Sequence, residues 1–378
     1  MSDALKLFIL AGEPSGDRIA ADLVIRLRSK ITVTPSGVGG DELIGQGLKP
    51  LFPMSDLAVM GLTDVLLRLP LLLWRIEQAA RAIIANQPDI VVLVDAQDFS
   101  KRLAKRIKAL GFARPILLYV APSVWARAPQ RAKALAPLFA EVLAVLPFEP
   151  AVMAKLEGPP TSYVGHPSLA EGLPAGDGTE RGLVALLPGS RNGELRRHLP
   201  LLGQVAARLA DHPAVSGFFI PTLPSLEARL RAETANWSVP VTIVANRAER
   251  RALYQQSIVA LSVSGTATLE LALARLPMVV IYVLDAPQAR AFDRIGRPQV
   301  GLPNIVLGRI LTEELITTKP EPDLVTAAAL RLLDDKKARQ NQIAGFGELI
   351  DLMEHGTAEA PRQDPADRVL AHLPVSGR

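Results

Sequence analysis

The chain has 378 residues, enough for about two domains of ordinary size, and 49% hydrophobic against 4% aromatic content implies aliphatic cores. A net charge of +4, from 42 Lys+Arg and 38 Asp+Glu, favours anionic partners, but no basic run with interleaved aromatics marks a nucleic-acid surface. With no cysteine, disulfides and thiolate metal sites are excluded, and the five histidines show no ligand spacing.

Residues 1–6 lack the basic start of a signal peptide, and 7–11 is too short for its apolar core. Residues 7–10 read as a strand, followed by the loop Ala11-Gly12-Glu13-Pro14-Ser15-Gly16-Asp17 and a helix. That is the opening unit of a doubly wound sheet, although the spacing is not GxGxxG and implies no dinucleotide. A second glycine turn, Ser36-Gly37-Val38-Gly39-Gly40, also leaves room for close ligand approach; a plain turn accounts for either loop equally well.

Residues 57–74 are leucine-dense but interrupted by Asp64, Arg68 and Pro70, and fall short of the roughly 20 apolar residues a spanning helix needs. Two readings stand. One is an internal helix. The other is a surface piece, broken at Gly61 and Pro70, that dips Leu66, Leu67, Leu71 and Leu72 into a lipid interface with Arg68 on anionic headgroups.

Residues 88–95 read as a strand buried on both faces that ends in Asp95, with Asp98 three positions on. Ligands of open α/β sheets bind at carboxyl ends of strands, so a carboxylate there is a candidate base. Asp95 is expected to do the chemistry, and Asp98 to cap a helix starting near Ser100. Residues 115–120 form the next strand, leading into a loop with Ser123, Trp125 and Arg127. A strand at 141–146 leads into Pro147-Phe148-Glu149, and His166 lies between Gly165 and Pro167. Residues 169–182 are polar and rich in Gly and Pro, as an interdomain linker would be.

Alternation of strand and helix restarts at Leu183. The strand 183–187 breaks at Pro188-Gly189-Ser190-Arg191, and the helical spacing of Leu195, Leu199, Leu202, Val205 and Leu209 follows. Free N–H groups at a helix start, with the macrodipole and the Arg191 guanidinium, make an anion site, although an ordinary connection reads the same way. Strands recur near 217–220, 241–244, 258–262 and 277–283. Ser264-Gly265-Thr266 is a second small-residue turn into a helix, with Glu270 in its first turns, and Leu302-Pro303-Asn304 is a short loop in apolar surroundings.

Taken together, AGEPSGD, GVGG, LAVMG, PDI…VDAQDF, PSVWA, LPFE, VGHP, LLPGSR…E, SGTATLE, PMVV and LPN, in this order over residues 9–304, resemble the lipid-A-disaccharide synthase family, inverting GT-B enzymes of glycosyltransferase family 19. The resemblance implies an α/β fold of two Rossmann-like, doubly wound domains facing across a cleft. Their expected bounds are 1–168 (acceptor and membrane side) and 183–345 (UDP-sugar), with 346–378 returning to the first domain, where subunits of a homodimer can exchange it. It implies transfer from UDP-2,3-diacylglucosamine to 2,3-diacylglucosamine 1-phosphate (lipid X), giving a β-1,6-linked lipid A disaccharide 1-phosphate and UDP. The setting is the cytoplasmic face of the Gram-negative inner membrane, with the protein peripheral on its anionic surface, and no cofactor or metal is expected.

Carried onto this sequence, the catalytic set is Asp95 as base with Asp98 and Glu13. The UDP-sugar set is Gly189, Ser190, Arg191, Ser264, Gly265, Thr266, Glu270 and Asn304. Gly12, Ser15, Gly16, Gly39, Gly40, Ser123 and Trp125 lie on the acceptor side. The chain departs from the family pattern at Gln97 and Ser100 (usually Pro and Asn), Arg127 (a second Trp), Val283 (Arg) and the stretch 284–298. Another UDP-sugar transferase, a UDP-sugar 2-epimerase and a non-catalytic nucleotide-binding protein at a membrane surface remain as rival readings.

Overall fold

The computed structural model describes residues 4–57, 62–125, 128–169 and 180–374, and of 62–67 the backbone alone. It divides into two compact units, Met1–Pro167 with Met353–Arg378, and Ser168–Leu352. Residues 170–179, most of the expected linker, and Arg127 lie outside the described residues.

The first unit holds β1 (Leu5–Ala11), α1 (Pro14–Arg28), β2 (Val33–Val38), α2 (Asp41–Gly45), α3 (Leu62–Asn86), β3 (Ile90–Val94), α4 (Gln97–Ala109), β4 (Ile116–Tyr119), α5 (Gln130–Lys133), β5 (Glu141–Ala144), α6 (Glu149–Lys155) and β6 (Thr161–Tyr163). Its sheet is parallel, in the order β2-β1-β3-β4-β5-β6. All five residues of β3 are buried, as helices on both faces of a parallel sheet require. The chain runs outward from β1 to β2, then crosses to β3 on the other side of β1. The topological switch point therefore lies between the ends of β1 and β3.

In the second unit the elements are β7 (Gly182–Leu187), α7 (Asn192–Leu209), β8 (Val215–Pro221), α8 (Pro224–Thr234), β9 (Val241–Val244), α9 (Arg247–Gln255), β10 (Ser257–Val263), α10 (Thr266–Leu273), β11 (Met278–Val283), α11 (Ala286–Arg294), α12 (Leu302–Leu307), β12 (Glu313–Thr317), α13 (Pro322–Asp334) and α14 (Lys336–His355). The sheet order β12-β11-β10-β7-β8-β9 is again parallel, and its switch point lies between β7 and β10. Leu195, Leu199, Leu202, Val205 and Leu209 are all buried, so the helical spacing read from sequence is the core face of α7.

After α14 the chain adds α15 (Pro365–Ala371) to the first unit. Arg368 forks onto the buried Glu141 at 2.9 and 3.0 Å, and His372 Nε2 lies 2.6 Å from the same carboxylate. Arg26 and Lys30 of α1 pair with Asp364 and Asp367, and the Tyr163 hydroxyl donates to the Met353 carbonyl.

Of the two readings of the leucine-dense stretch, the one that breaks it at Pro70 is not what the structure has. From Leu62 onward it is one 25-residue helix with Pro70 inside. An interior proline costs about 3 kcal/mol. Burial of Ile76, Ala79, Ala80 and Ile83 in the core offsets that cost further along α3. Leu72 packs against this core, whereas Leu73 and Trp74 are exposed; Leu71 is half-buried and Arg68 exposed. Gly61 and the side chains of Leu66 and Leu67 lie outside the described residues. Among the described residues no helix is long and apolar enough to cross a membrane.

His198 is a titratable core residue. Its Nδ1 lies 2.8 Å from the Glu194 carbonyl, and its Nε2 accepts the Val283 N–H at 2.8 Å, so the ring is neutral with the proton on Nδ1. Burial lowers its pKa to about 4. A base depressed in the folded state stabilises fully above its unfolded value, near 6.5, and the contribution fades as pH falls towards 4. About 3 kcal/mol is expected to be lost across that window. Urea midpoints at pH 7.5 and 4.5 check this: His198→Gln should be less stable at pH 7.5 and show a smaller acid loss than the unaltered chain.

Candidate active site

At the first switch point three loops converge. The Gly12–Gly16 loop leaves β1, and a side chain at Gly12 would come within 2.7 Å of the Ala96 methyl; glycine there lets this loop touch the turn after β3. That turn is strained, with φ of 54° at Asp95 and 44° at Ala96, and Val120 after β4 sits at 75°, a poor region for a β-branched residue. Asp95 donates its N–H to the Tyr119 carbonyl, and its own carbonyl accepts the Ser100 hydroxyl at 2.8 Å. The Gln97 amide donates to the Val120 carbonyl at 3.1 Å. Gln97 and Ser100, two departures from the family pattern, thus brace this turn.

Burial pushes the Asp95 carboxyl above the ordinary carboxylate range, against hydrogen bonds from the Ala96 N–H and the Gln97 side chain. The expected helix cap at Asp98 is corrected. The left-handed residues let α4 start at Gln97, Ala96 is its N-cap, and Asp98 is an exposed residue of the first turn. Glu13 is the N-cap position of α1 and is exposed, as is Ser15.

Asp17, absent from the sequence-derived site, ties the two glycine loops together. It is buried and accepts the N–H groups of Gly40 at 2.8 Å and Glu42 at 2.9 Å. Side chains at Gly39 or Gly40 would come within 2.9 and 2.8 Å of its carboxylate oxygens. The Gly40 N–H is therefore spent on Asp17, and these glycines serve loop packing. Ser123 is exposed, and Trp125 is half-buried beside Phe148 and Glu149.

The second switch point carries both expected phosphate loops, one after β7 and one after β10, on neighbouring strands with Leu187 opposite Ser262. Gly189 takes a φ of 96°, which a side chain would resist. The N–H groups there are not free, which corrects the sequence reading: Ser190 and Arg191 both donate to Glu194 Oε2, at 3.1 and 3.2 Å. The carboxylate three residues into the helix closes a capping box on its own N-terminus. What remains for an anion is the Arg191 guanidinium, which is 81% exposed although within 3.0 Å of Glu194.

In the other loop Ser264 donates its hydroxyl to the Val300 carbonyl, while Gly265 and Thr266 are exposed. Glu270 lies 3.8 Å from Arg250. Asn304 needs correction as a direct ligand group. It is fully buried; its amide donates to Thr312 O and Glu314 Oε1 and accepts from the N–H groups of Leu311 and Thr312. It shapes the loop between α12 and β12. Val283, where Arg is usual, is a buried core residue whose N–H meets His198. Among the described residues no set of three His, Asp or Glu side chains is grouped to hold a metal.

A family model described as lipid-A-disaccharide synthetase matches residues 7–364. A lipid-A-disaccharide synthase of Rhodopseudomonas palustris is 38% identical over 375 residues, covering 96% of this chain and 95% of that protein. One from Rhodospirillum centenum is 38% identical over 379 residues, covering 97% and 94%. Among solved structures, the Staphylococcus aureus MnaA–UDP co-structure superposes with a TM-score of 0.62 at 13% identity, covering 96% of this chain and 100% of that one. Glycyrrhiza uralensis UGT73P12, complexed with glycyrrhetinic acid 3-O-monoglucuronide, gives 0.63 at 12% identity, covering 98% and 94%. At such identities these two bear on the fold alone.

Proposed function

The chain belongs to the lipid-A-disaccharide synthetase family, glycosyltransferases of lipid A biosynthesis, and from that premise we propose that it transfers 2,3-diacylglucosamine from UDP-2,3-diacylglucosamine to lipid X with inversion. The chemistry at the two switch points carries this reading. A half-buried carboxylate of raised pKa stands at one, and a Gly-Ser-Arg turn beside a Ser-Gly-Thr turn stands at the other. Asp95 takes the proton of the acceptor 6-hydroxyl as that oxygen attacks the anomeric carbon. The bond to UDP breaks on the opposite face, and an α-linked donor gives a β product. Negative charge developing on the diphosphate meets Arg191 and the exposed backbone at Gly265 and Thr266. Glu270 accepts the ribose hydroxyls, and Glu13 with the Gly12–Gly16 loop lies on the acceptor side.

The test is a mass-detected assay with UDP-2,3-diacylglucosamine, lipid X and EDTA. A disaccharide monophosphate formed at the same rate with and without EDTA is the expected result. Release of free sugar or its 2-epimer, without disaccharide, would replace the reading with another UDP-sugar activity.

Both substrates carry acyl chains, so the enzyme works at an anionic inner-membrane surface on its cytoplasmic face. Exposed Leu73 and Trp74, and the exposed Arg68 earlier on α3, supply the apolar and basic contacts. Leu73→Gln with Trp74→Gln should weaken flotation with vesicles of anionic lipid about tenfold, and raise the apparent KM for lipid X. Unchanged flotation would remove this face from the membrane contact.

A further inference from the structure

Two motifs that sequence reading left apart meet at the end of β5. Glu149, from LPFE, is 3% exposed. One carboxylate oxygen accepts the N–H groups of Val145 at 3.2 Å and Leu146 at 3.0 Å, and the other faces the indole Nε1 of Trp125, from PSVWA, at 3.4 Å. The Phe148 ring meets the same indole edge-on, with centroids 5.4 Å apart and planes at 81°. Trp125 is thus held by its N–H and by an aromatic edge, and part of it remains open to solvent. An indole fixed in this way offers an apolar surface on which a pyranose ring can stack.

We propose that Glu149 is a positioning residue for the acceptor: it fixes Trp125 as the platform for the acceptor sugar ring. The inference deepens the transferase reading and rests on it for the identity of the sugar. Burial lifts the Glu149 carboxyl to about 7, against hydrogen bonds from Leu146, Trp125 and Val145. Tyr163 on β6 feels the charge of Glu149, and Arg362, from the returning C-terminal segment, acts on Tyr163 in turn. Ionised Glu149 attracts the indole N–H more strongly than neutral Glu149 does, so the hold on Trp125 strengthens as pH rises through this range.

The chain has three tryptophans, and Trp74→Phe with Trp237→Phe leaves Trp125 as the sole indole emitter. In that background, Trp125 emission should titrate near neutral pH, and Glu149→Gln, whose amide would set N–H against N–H, should abolish the titration. In the assay Glu149→Gln and Trp125→Phe should each raise the KM for lipid X about tenfold with the KM for the UDP-sugar unchanged, and the double variant should add little to either. An emission titration that survives Glu149→Gln, or an unchanged acceptor KM, would overturn the proposal. Loss of the titration in Glu149→Gln, together with a wild-type chain that makes no disaccharide, would keep the Glu149–Trp125 coupling and overturn its assignment to this acceptor.

Discussion

Asp95→Asn is expected to lower kcat about 10³-fold while leaving the fold and UDP affinity unchanged. The size is that of a general base removed from a proton transfer. Asn suits the test better than Ala because residue 95 sits at a φ of 54°, a region asparagine tolerates and alanine resists. A purely structural aspartate would predict the reverse pattern, with melting temperature falling and kcat spared. A capping role is removed already, since Ala96 occupies the N-cap of α4. The pH dependence has a definite sign. The base must be ionised, so kcat/KM rises with pH through the burial-raised value of Asp95 and levels off above it. Asp98→Asn, altering an exposed first-turn residue, should change kcat by less than about tenfold.

Arg368→Met should be the most damaging single change in the C-terminal segment. It removes a two-pronged partner from Glu141, which is 1% exposed at the start of β5. Burial alone would raise the Glu141 pKa; hydrogen bonds from Arg368, Ser162 and His372 overcome this and hold it below the ordinary carboxylate value. Breaking one side of a buried pair costs about 3 kcal/mol, or roughly 5–10 °C in the melting temperature of a unit this size. Because the carboxyl is depressed in the folded state, the contribution is full above the unfolded carboxylate pKa and is lost as pH falls through the folded value. Thermal melts at pH 7 and limited proteolysis of residues 356–374 measure it. Combining Arg368→Met with Glu141→Leu should recover part of the loss by removing the unpaired charge. An Arg368→Met melt within 1 °C of the unaltered chain would mean that the pair contributes little.

The sites read from local pattern were those where a buried strand runs into a glycine turn. β1, β7 and β10 each end that way, β3 ends instead in Asp95, and these four ends turn out to be the two switch points. Contacts between distant residues escaped, because no periodicity reports which carboxylate folds back onto which N–H. Asp17 on Gly40 is one such contact, and Glu149 on Trp125 is another. Glu194 on Arg191 is close in sequence and follows the capping-box spacing, so the signal was present: a Glu at N3 announces that the helix start is already occupied. Asn304 misled because a polar residue among apolar neighbours also describes a buried hydrogen-bond hub. Pro70 misled because proline stops a helix only when nothing else holds it, and the core face of α3 does.

The most direct test of the central proposal, a single displacement driven by a carboxylate base, is the anomeric configuration of the product. Proton NMR of the disaccharide made from α-linked UDP-2,3-diacylglucosamine and lipid X should show a β linkage to the 6-oxygen. An α linkage would mean two displacements or front-face attack, and would contradict Asp95 acting as the base of an inverting transfer.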